Sequence, residues 1–221
     1  MKNNFVKKLV FPLILLFIVA QGRAQVGDAG DFHFMPKVGF SLSTIMGLSN
    51  TMRSGLNAGV GCEYQFTDRI SVEGGAYYSM QGASQKYRIQ GEYVDTYLNN
   101  DYINIPIYAK VYLYKGFNVF GGPQLGIEVN TNFSIEGAHS KVYKTEKVYD
   151  MFYPIDFALC VGGGYQFENG LFFSVNYNFG LLDALKQKSL KIEGDKTELE
   201  IMKDDEVARN GVLQANLGWR F

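Results

Sequence analysis

The stretch Asp101-Tyr102-Ile103-Asn104-Ile105-Pro106-Ile107-Tyr108-Ala109-Lys110-Val111-Tyr112-Leu113-Tyr114 decides the fold. Successive side chains of an extended chain point to opposite sides. Ile103, Ile105, Ile107, Ala109, Val111 and Leu113 therefore share one face, and Tyr102, Asn104, Tyr108, Lys110 and Tyr112 share the other. A soluble strand averages about 5–6 residues, whereas a tilted membrane-spanning strand needs about 9–11. A run of this length with one apolar face fits the second case.

Seven further segments repeat the pattern. Residues 36–44 align Val38, Phe40 and Leu42; 55–66 align Leu56, Ala58, Val60, Cys62, Tyr64 and Phe66; 69–81 align Ile70, Val72, Ala76, Tyr78 and Met80. Residues 116–129 align Phe117, Val119, Leu125, Ile127 and Val129, and 153–167 align Ile155, Phe157, Leu159, Val161, Tyr165 and Phe167. Residues 171–179 align Leu171, Phe173, Val175, Tyr177 and Phe179, and 210–221 align Leu213, Ala215, Leu217, Trp219 and Phe221. Thr67-Asp68, Lys115-Gly116 and Glu168-Asn169-Gly170 read as tight turns. Between them residues 45–54, 82–100, 130–152 and 180–209 read as long loops. Short turns at one end and long loops at the other are the pattern of bacterial outer-membrane barrels, and a soluble up-and-down barrel does not require it. The chain thus reads as all-β: an eight-stranded antiparallel up-and-down transmembrane β-barrel over residues 36–221, with both ends on the periplasmic, short-turn side.

The aromatic residues decide which face meets lipid. Tyr64, Phe66, Tyr114, Phe117, Tyr165, Phe167, Trp219 and Phe221 all lie beside the short turns or the C-terminus. A barrel would gather them at one height as an interfacial girdle, where amphipathic rings prefer to sit. A soluble core has no reason to do so. The apolar faces accordingly point outward and the small and polar faces line the lumen. Lumen charges of both signs follow: Lys37, Glu63, Glu73, Lys110, Glu128, Asp156 and Arg220. In a narrow interior such groups must pair or be hydrogen-bonded. Eight-stranded barrels are filled by side chains, so a structural network plugging the lumen is favoured over an ion or proton path.

Residues 1–24 carry Lys2, Lys7 and Lys8, then an apolar run from Leu9 to Ala20, then Gly22-Arg23-Ala24 with small residues flanking Arg23. This is the layout of a cleavable signal peptide, with cleavage after Ala24, and the run is too short to span a bilayer. Residues 25–35 would form a short periplasmic segment. Removing the four bases of residues 1–24 from the chain's 21 leaves 17 against 22 acids, a net charge of −5. That balance argues against nucleic-acid binding. Cys62 and Cys160 fall on nonadjacent strands with opposite facing, so both are expected free.

Loop residues 86–95, 190–201 and, more weakly, 133–137 alternate around glycines as hairpins continued above the membrane would, and a protruding sheet edge can add a partner strand. Asp204, Asp205 and Glu206 lack EF-hand spacing. Catalytic patterns are missing: His33 precedes the first segment, His139 lies in a long loop, and no H-E-x-x-H, C-x-x-C or P-loop occurs. No catalytic residue, cofactor or metal ligand is assigned.

Tyr102-x-x-Ile105-Pro106, followed by Lys110 and then Gly121-Gly122-Pro123-x-x-Gly126, resembles the paired signature of PorT-like outer-membrane barrels of the Bacteroidetes type, and Lys37-Val38-Gly39 is similar to that family's opening. The resemblance covers residues 36–221. It implies the barrel, and no catalytic residues; its founding member assists a secretion and gliding system. Trp219-Arg220-Phe221 also resembles the C-terminal signal read by the barrel-assembly machinery, with Asn216 where Gly is common. The expected function is a non-enzymatic, monomeric barrel that sits in outer-membrane lipid and presents loops to a protein partner or serves envelope assembly or secretion. A narrow channel is the first alternative, and a lipid-modifying enzyme, with His139 as its one candidate residue, the second.

Overall fold

The computed structural model describes residues 28–47, 51–89, 92–137, 152–184, 186, 189–191, 198–200 and 207–221. In chain order the strands are β1 (Phe32–Met46), β2 (Thr51–Thr67), β3 (Ile70–Ile89), β4 (Glu92–Tyr114), β5 (Phe117–Gly137), β6 (Ile155–Gln166), β7 (Leu171–Gly180), β8 (Ser189–Lys191), β9 (Glu198–Glu200) and β10 (Arg209–Trp219). Eight of them close into a barrel in the order β1-β10-β7-β6-β5-β4-β3-β2, every pair antiparallel, while β8 and β9 form a separate two-stranded ribbon. The barrel neighbours are sequential hairpins except at the seam, where β1 meets β10 in a register running from Lys37↔Gly218 to Met46↔Arg209. Closure leaves no unpaired edge inside the bilayer, which is what a sheet in hydrocarbon requires.

The faces are inverted relative to a soluble protein. Phe40 is 70 % exposed and Ile107 58 %, while Glu63 is 0 % and Lys110 4 % exposed. The apolar stripes of all eight segments point outward, and Ser41, Asn57, Ser71, Tyr102, Asn104, Asn176 and Asn216 are buried inside. Cys160 is buried in the lumen, Cys62 half-buried on the outer face, and neither is bonded to the other.

Several boundaries differ from the sequence expectation. β1 begins at Phe32, so part of the segment expected to precede the barrel is strand: Phe32 pairs with Tyr64 and Phe34 with Cys62. The first turn is Asp68-Arg69 rather than Thr67-Asp68, because Thr67 pairs with Ile70 and its Oγ1 accepts from the Ile70 N–H at 3.0 Å. Lys115 (φ 41°) and Gly116 (φ 84°) form the two-residue turn expected there; left-handed φ at both positions matches the strand twist. Residues 45–54 are not a long loop, since β1 runs to Met46 and β2 starts at Thr51. Most of 82–100 and part of 130–152 are also strand, because β3 and β4 stay in register to Ile89↔Glu92 and β4 and β5 to Val94↔Gly137. Residues 1–27, with the expected signal peptide, and residues 204–206 and His139 lie outside the described residues.

Candidate functional site

At the short-turn half, β2 and β3 bring Glu63 directly opposite Glu73. Like charges at directly opposed positions repel. Lys110 from β4 resolves this: its Nζ donates to Glu63 Oε2 and to Glu73 Oε2, both at 2.7 Å. Lys37 of β1 reaches past β2 to donate to Glu73 Oε1 at 3.0 Å, and Arg220 stands 3.6 Å from Glu63 Oε1 while donating to Gln65 Oε1. Three cations thus share two carboxylates in a site almost without solvent, where charge-assisted hydrogen bonds are strongest and an unpaired partner costs most.

Tyrosines complete the network. Tyr112 donates to Glu63 Oε1 at 2.8 Å and Tyr77 to Glu73 Oε1 at 3.3 Å. The Lys37 ammonium sits 4.0 Å from the centre of the Tyr77 ring, a cation–π distance. That ring lies over Gly59, Gly61 and Gly75: a Cβ at Gly61 would stand 2.1 Å from Tyr77 Oη, and one at Gly75 2.7 Å from the ring. The glycines on the polar face therefore make room for a large side chain that orients a carboxylate. A void of about one water remains between Lys37, Glu73, Lys110, Phe120 and Phe172.

Of the seven charged residues assigned to the lumen, five join this network and two stand apart. Glu128 and Asp156 lie in the long-loop half, on β5 and β6, while Lys37, Lys110 and Arg220 cluster at the other end. Glu128 accepts from Thr131, and Asp156 Oδ2 accepts from Asn210 Nδ2 at 3.0 Å. A further charged pair escaped the sequence reading. At the long-loop rim Arg53 stands 3.8 Å from Asp101, whose Oδ2 accepts from Tyr78 Oη at 2.8 Å and Asn130 Nδ2 at 3.0 Å. Arg53 falls in a stretch that reads as loop, and Asp101 shares the outward face with Ile103, so neither appeared as a lumen charge.

The eight aromatics assigned to the girdle all stand at the short-turn end, with Tyr64 packed edge-on to Phe66 and Tyr165 to Phe167 at 4.9 Å. Phe32 and Phe34 join them, Phe34 lying 6.4 Å from Phe221. They were missed because β1 starts earlier than its alternation suggests. His33 closes the seam below the last ladder pair: its Nδ1 donates to the Phe221 carbonyl at 3.0 Å, and the Phe221 N–H donates to the Phe34 carbonyl. An imidazole nitrogen facing a carbonyl must carry the proton.

The long-loop end is uneven. β6, β7 and β10 have 12, 10 and 11 residues, but β3, β4 and β5 have 20, 23 and 21. β5 runs on from Ile127, its last pair with β6, to Gly137, roughly 30 Å at ~3.3 Å per residue, and β3 runs on from Ser84, its last pair with β2, to Ile89, roughly 16 Å. β2 leaves β3 at Thr51↔Ser84, and β6 leaves β5 at Ile127↔Ile155. Beyond those points, among the described residues, β4 is paired on both sides while β3 and β5 each carry an open backbone edge.

Solved barrels of bacterial outer membranes are similar to this chain. Neisserial surface protein A shares 12% identity over 86% of this chain and 97% of its own, with a TM-score of 0.42. Ail, the attachment invasion locus protein of Yersinia pestis, shares 13% over 87% of this chain and 99% of its own, with a TM-score of 0.43. OprG from Pseudomonas aeruginosa shares 11% over 89% and 98%, with a TM-score of 0.39. No curated protein matches the sequence. The family model for the outer membrane protein beta-barrel domain matches residues 19–186, more than half of the chain. With the closed antiparallel barrel, the inverted faces and this match, the chain belongs to the outer membrane protein beta-barrel domain family and is an outer-membrane barrel.

Proposed function

We propose that this protein is a non-enzymatic, monomeric barrel that docks a protein partner on the sheet β3-β4-β5 standing above the membrane, with the long loops extracellular and a signal peptide removed after Ala24. The observation that carries this reading is the pair of backbone edges on β3 and β5 that, among the described residues, have no partner strand beyond Ser84 and Ile127. An open strand offers a row of unpaired N–H and C=O groups to an extended segment of another chain. Natural proteins usually cover or shorten such edges, and three strands each about ten residues longer than spanning requires make this one costly to retain without use. The Tyr102 to Gly126 signature supports a PorT-like member, whose partner would belong to an envelope-assembly or secretion apparatus, and Trp219-Arg220-Phe221 would engage the barrel-assembly machinery.

Photocrosslinking from Asn132 and Ile135 in intact cells tests the docking. The expected result is a discrete adduct that disappears when proline replaces whichever of Phe133 and Ser134 directs its N–H away from β4, and that persists with alanine at the same place. Adducts indifferent to proline, or none at all, would sink the strand-addition reading.

The filled lumen carries a separate expectation. In planar bilayers the purified barrel should give no resolvable steps. Steady single-channel steps whose size changes in Glu63→Gln or Lys110→Met would show that the network is a path and not a plug.

A further inference from the structure

The outward face of the barrel carries a single exposed charge. Among the described side chains, Arg209 is the one charged residue of the barrel strands that is exposed. It opens β10 at the long-loop rim, where it is opposite Met46 of β1. On its other side Gly180 of β7 lies against Asn210, which brings Leu181 beside Arg209. Met46, Leu181 and the preceding Val207 are all exposed. An arginine at the edge of an apolar belt lays its stem on that surface and carries its guanidinium to the headgroups.

Next on the same face of β10 is Gly211, opposite Phe179 of β7. A Cβ there would stand 2.6 Å from the Tyr177 hydroxyl and 3.6 Å from both Met46 Cε and Thr44 Cγ2. Tyr177 is itself opposite Leu213, so its ring leans one step along the barrel toward the rim. Phe179 holds it there, edge-on at 4.3 Å. The hydroxyl therefore lies in the notch that Gly211 leaves, one step below Arg209. Among the described residues, neither the Arg209 guanidinium nor the Tyr177 hydroxyl makes a hydrogen bond or ion pair. Asp183 turns Oδ1 to the Ala208 N–H at 3.1 Å and does not pair with Arg209. A hydroxyl and a guanidinium without partners are thus set side by side on a surface that faces hydrocarbon.

We propose that Arg209 and Tyr177 bind a phosphate group of an outer-leaflet glycolipid, whose acyl chains lie along Met46 and Leu181. The guanidinium fork matches two phosphate oxygens, and the phenol supplies a further donor to a group that presents acceptors. A lipid is the occupant because the notch opens among side chains that face the membrane, where a soluble partner has no access. The proposal rests on the orientation given above, long loops outward, and not on the docking role.

The test uses the barrel refolded in maltoside micelles, which contain no phosphate. Native mass spectrometry follows retention of lipid A, a phosphorylated glycolipid, and of its dephosphorylated form, with sodium phosphate as competitor. Wild type should retain lipid A, should release the dephosphorylated form, and should ignore sodium phosphate at equal concentration. Arg209→Gln should weaken lipid A binding about tenfold or more, as loss of a charge-assisted hydrogen bond does. Tyr177→Phe, which keeps the ring packing, should weaken it by less. Gly211→Ala, whose methyl displaces the hydroxyl, should match Tyr177→Phe. Lys115→Met, at the opposite rim, should leave binding unchanged. Micelles have no sides, so failure here speaks against the site and not against the orientation. Equal retention of the two lipids, displacement by sodium phosphate, indifference to Arg209→Gln or to Tyr177→Phe, or an equal loss in Lys115→Met would overturn the site.

Discussion

Replacing Lys110 with Met should lower the unfolding free energy of the barrel by about 3–5 kcal/mol, the usual cost of removing one partner from a buried charge network. Lys110 is the ammonium that stands between Glu63 and Glu73, at 2.7 Å from each. Those two residues are cross-strand neighbours, so its removal leaves directly opposed carboxylates inside the barrel with only Lys37 and Arg220 at their flanks. The chain has one tryptophan, Trp219, and its fluorescence during urea unfolding from vesicles gives the free energy. Lys110→Met/Glu63→Gln should recover part of the loss, since one of the repelling charges is gone. Lys115→Met in the exposed turn should change stability by no more than about 0.5 kcal/mol. A loss below about 1 kcal/mol in Lys110→Met would mean that water enters the network and screens it.

Steric relief should distinguish two of the glycines beneath Tyr77. Gly59→Val is expected to cost about 3 kcal/mol or more, because the new Cβ would stand 2.2 Å from the Ala76 carbonyl oxygen, a backbone atom held by the ladder. Gly61→Ala is expected to cost about 2 kcal/mol, but its obstruction is the Tyr77 hydroxyl at 2.1 Å. Tyr77→Phe should therefore restore part of the stability of Gly61→Ala and none of that of Gly59→Val. The same urea titration measures both cycles. Equal rescue of the two glycine variants would mean that backbone movement, not the tyrosine oxygen, absorbs the extra methyl.

The spanning strands were legible in the sequence because lipid on one face and a filled lumen on the other impose strict alternation, visible from Val38 to Trp219. Beyond the membrane that constraint disappears. Past Ser84 the long apolar stripe of β3 is lost, and only the weaker alternation of residues 86–95 around a glycine marks the hairpin, which is found as the pairing of β3 with β4 from Lys86↔Asp95 to Ile89↔Glu92. β1 was cut short for a related reason. Phe32 and Phe34 keep the outward phase of Val38 and Phe40, but Met35 is an apolar residue on the inward face and masks the period of two there. The list of lumen charges could be read residue by residue, but their partners could not. Lys37 meets Glu73 from two strands away, which follows only from the stagger between strands. Glu128 and Asp156 separate from the other five charges because of height along the barrel, which facing alone does not reveal. Tyr77 and Tyr112 were visible as inward residues, yet nothing in their spacing announced that they donate to Glu73 and Glu63.

The β1–β10 seam makes assembly an all-or-nothing event in time. Each hairpin from β2 to β7 can form from nearby chain, but Lys37 must wait for Gly218, so the ring stays open until the final strand has arrived. Until then the first and last strands both expose sticky edges, and contacts so distant in sequence form slowly. The short link from His33 to Phe221 sits where that last encounter ends, so it forms only once the strand leading to Phe221 has docked on β1.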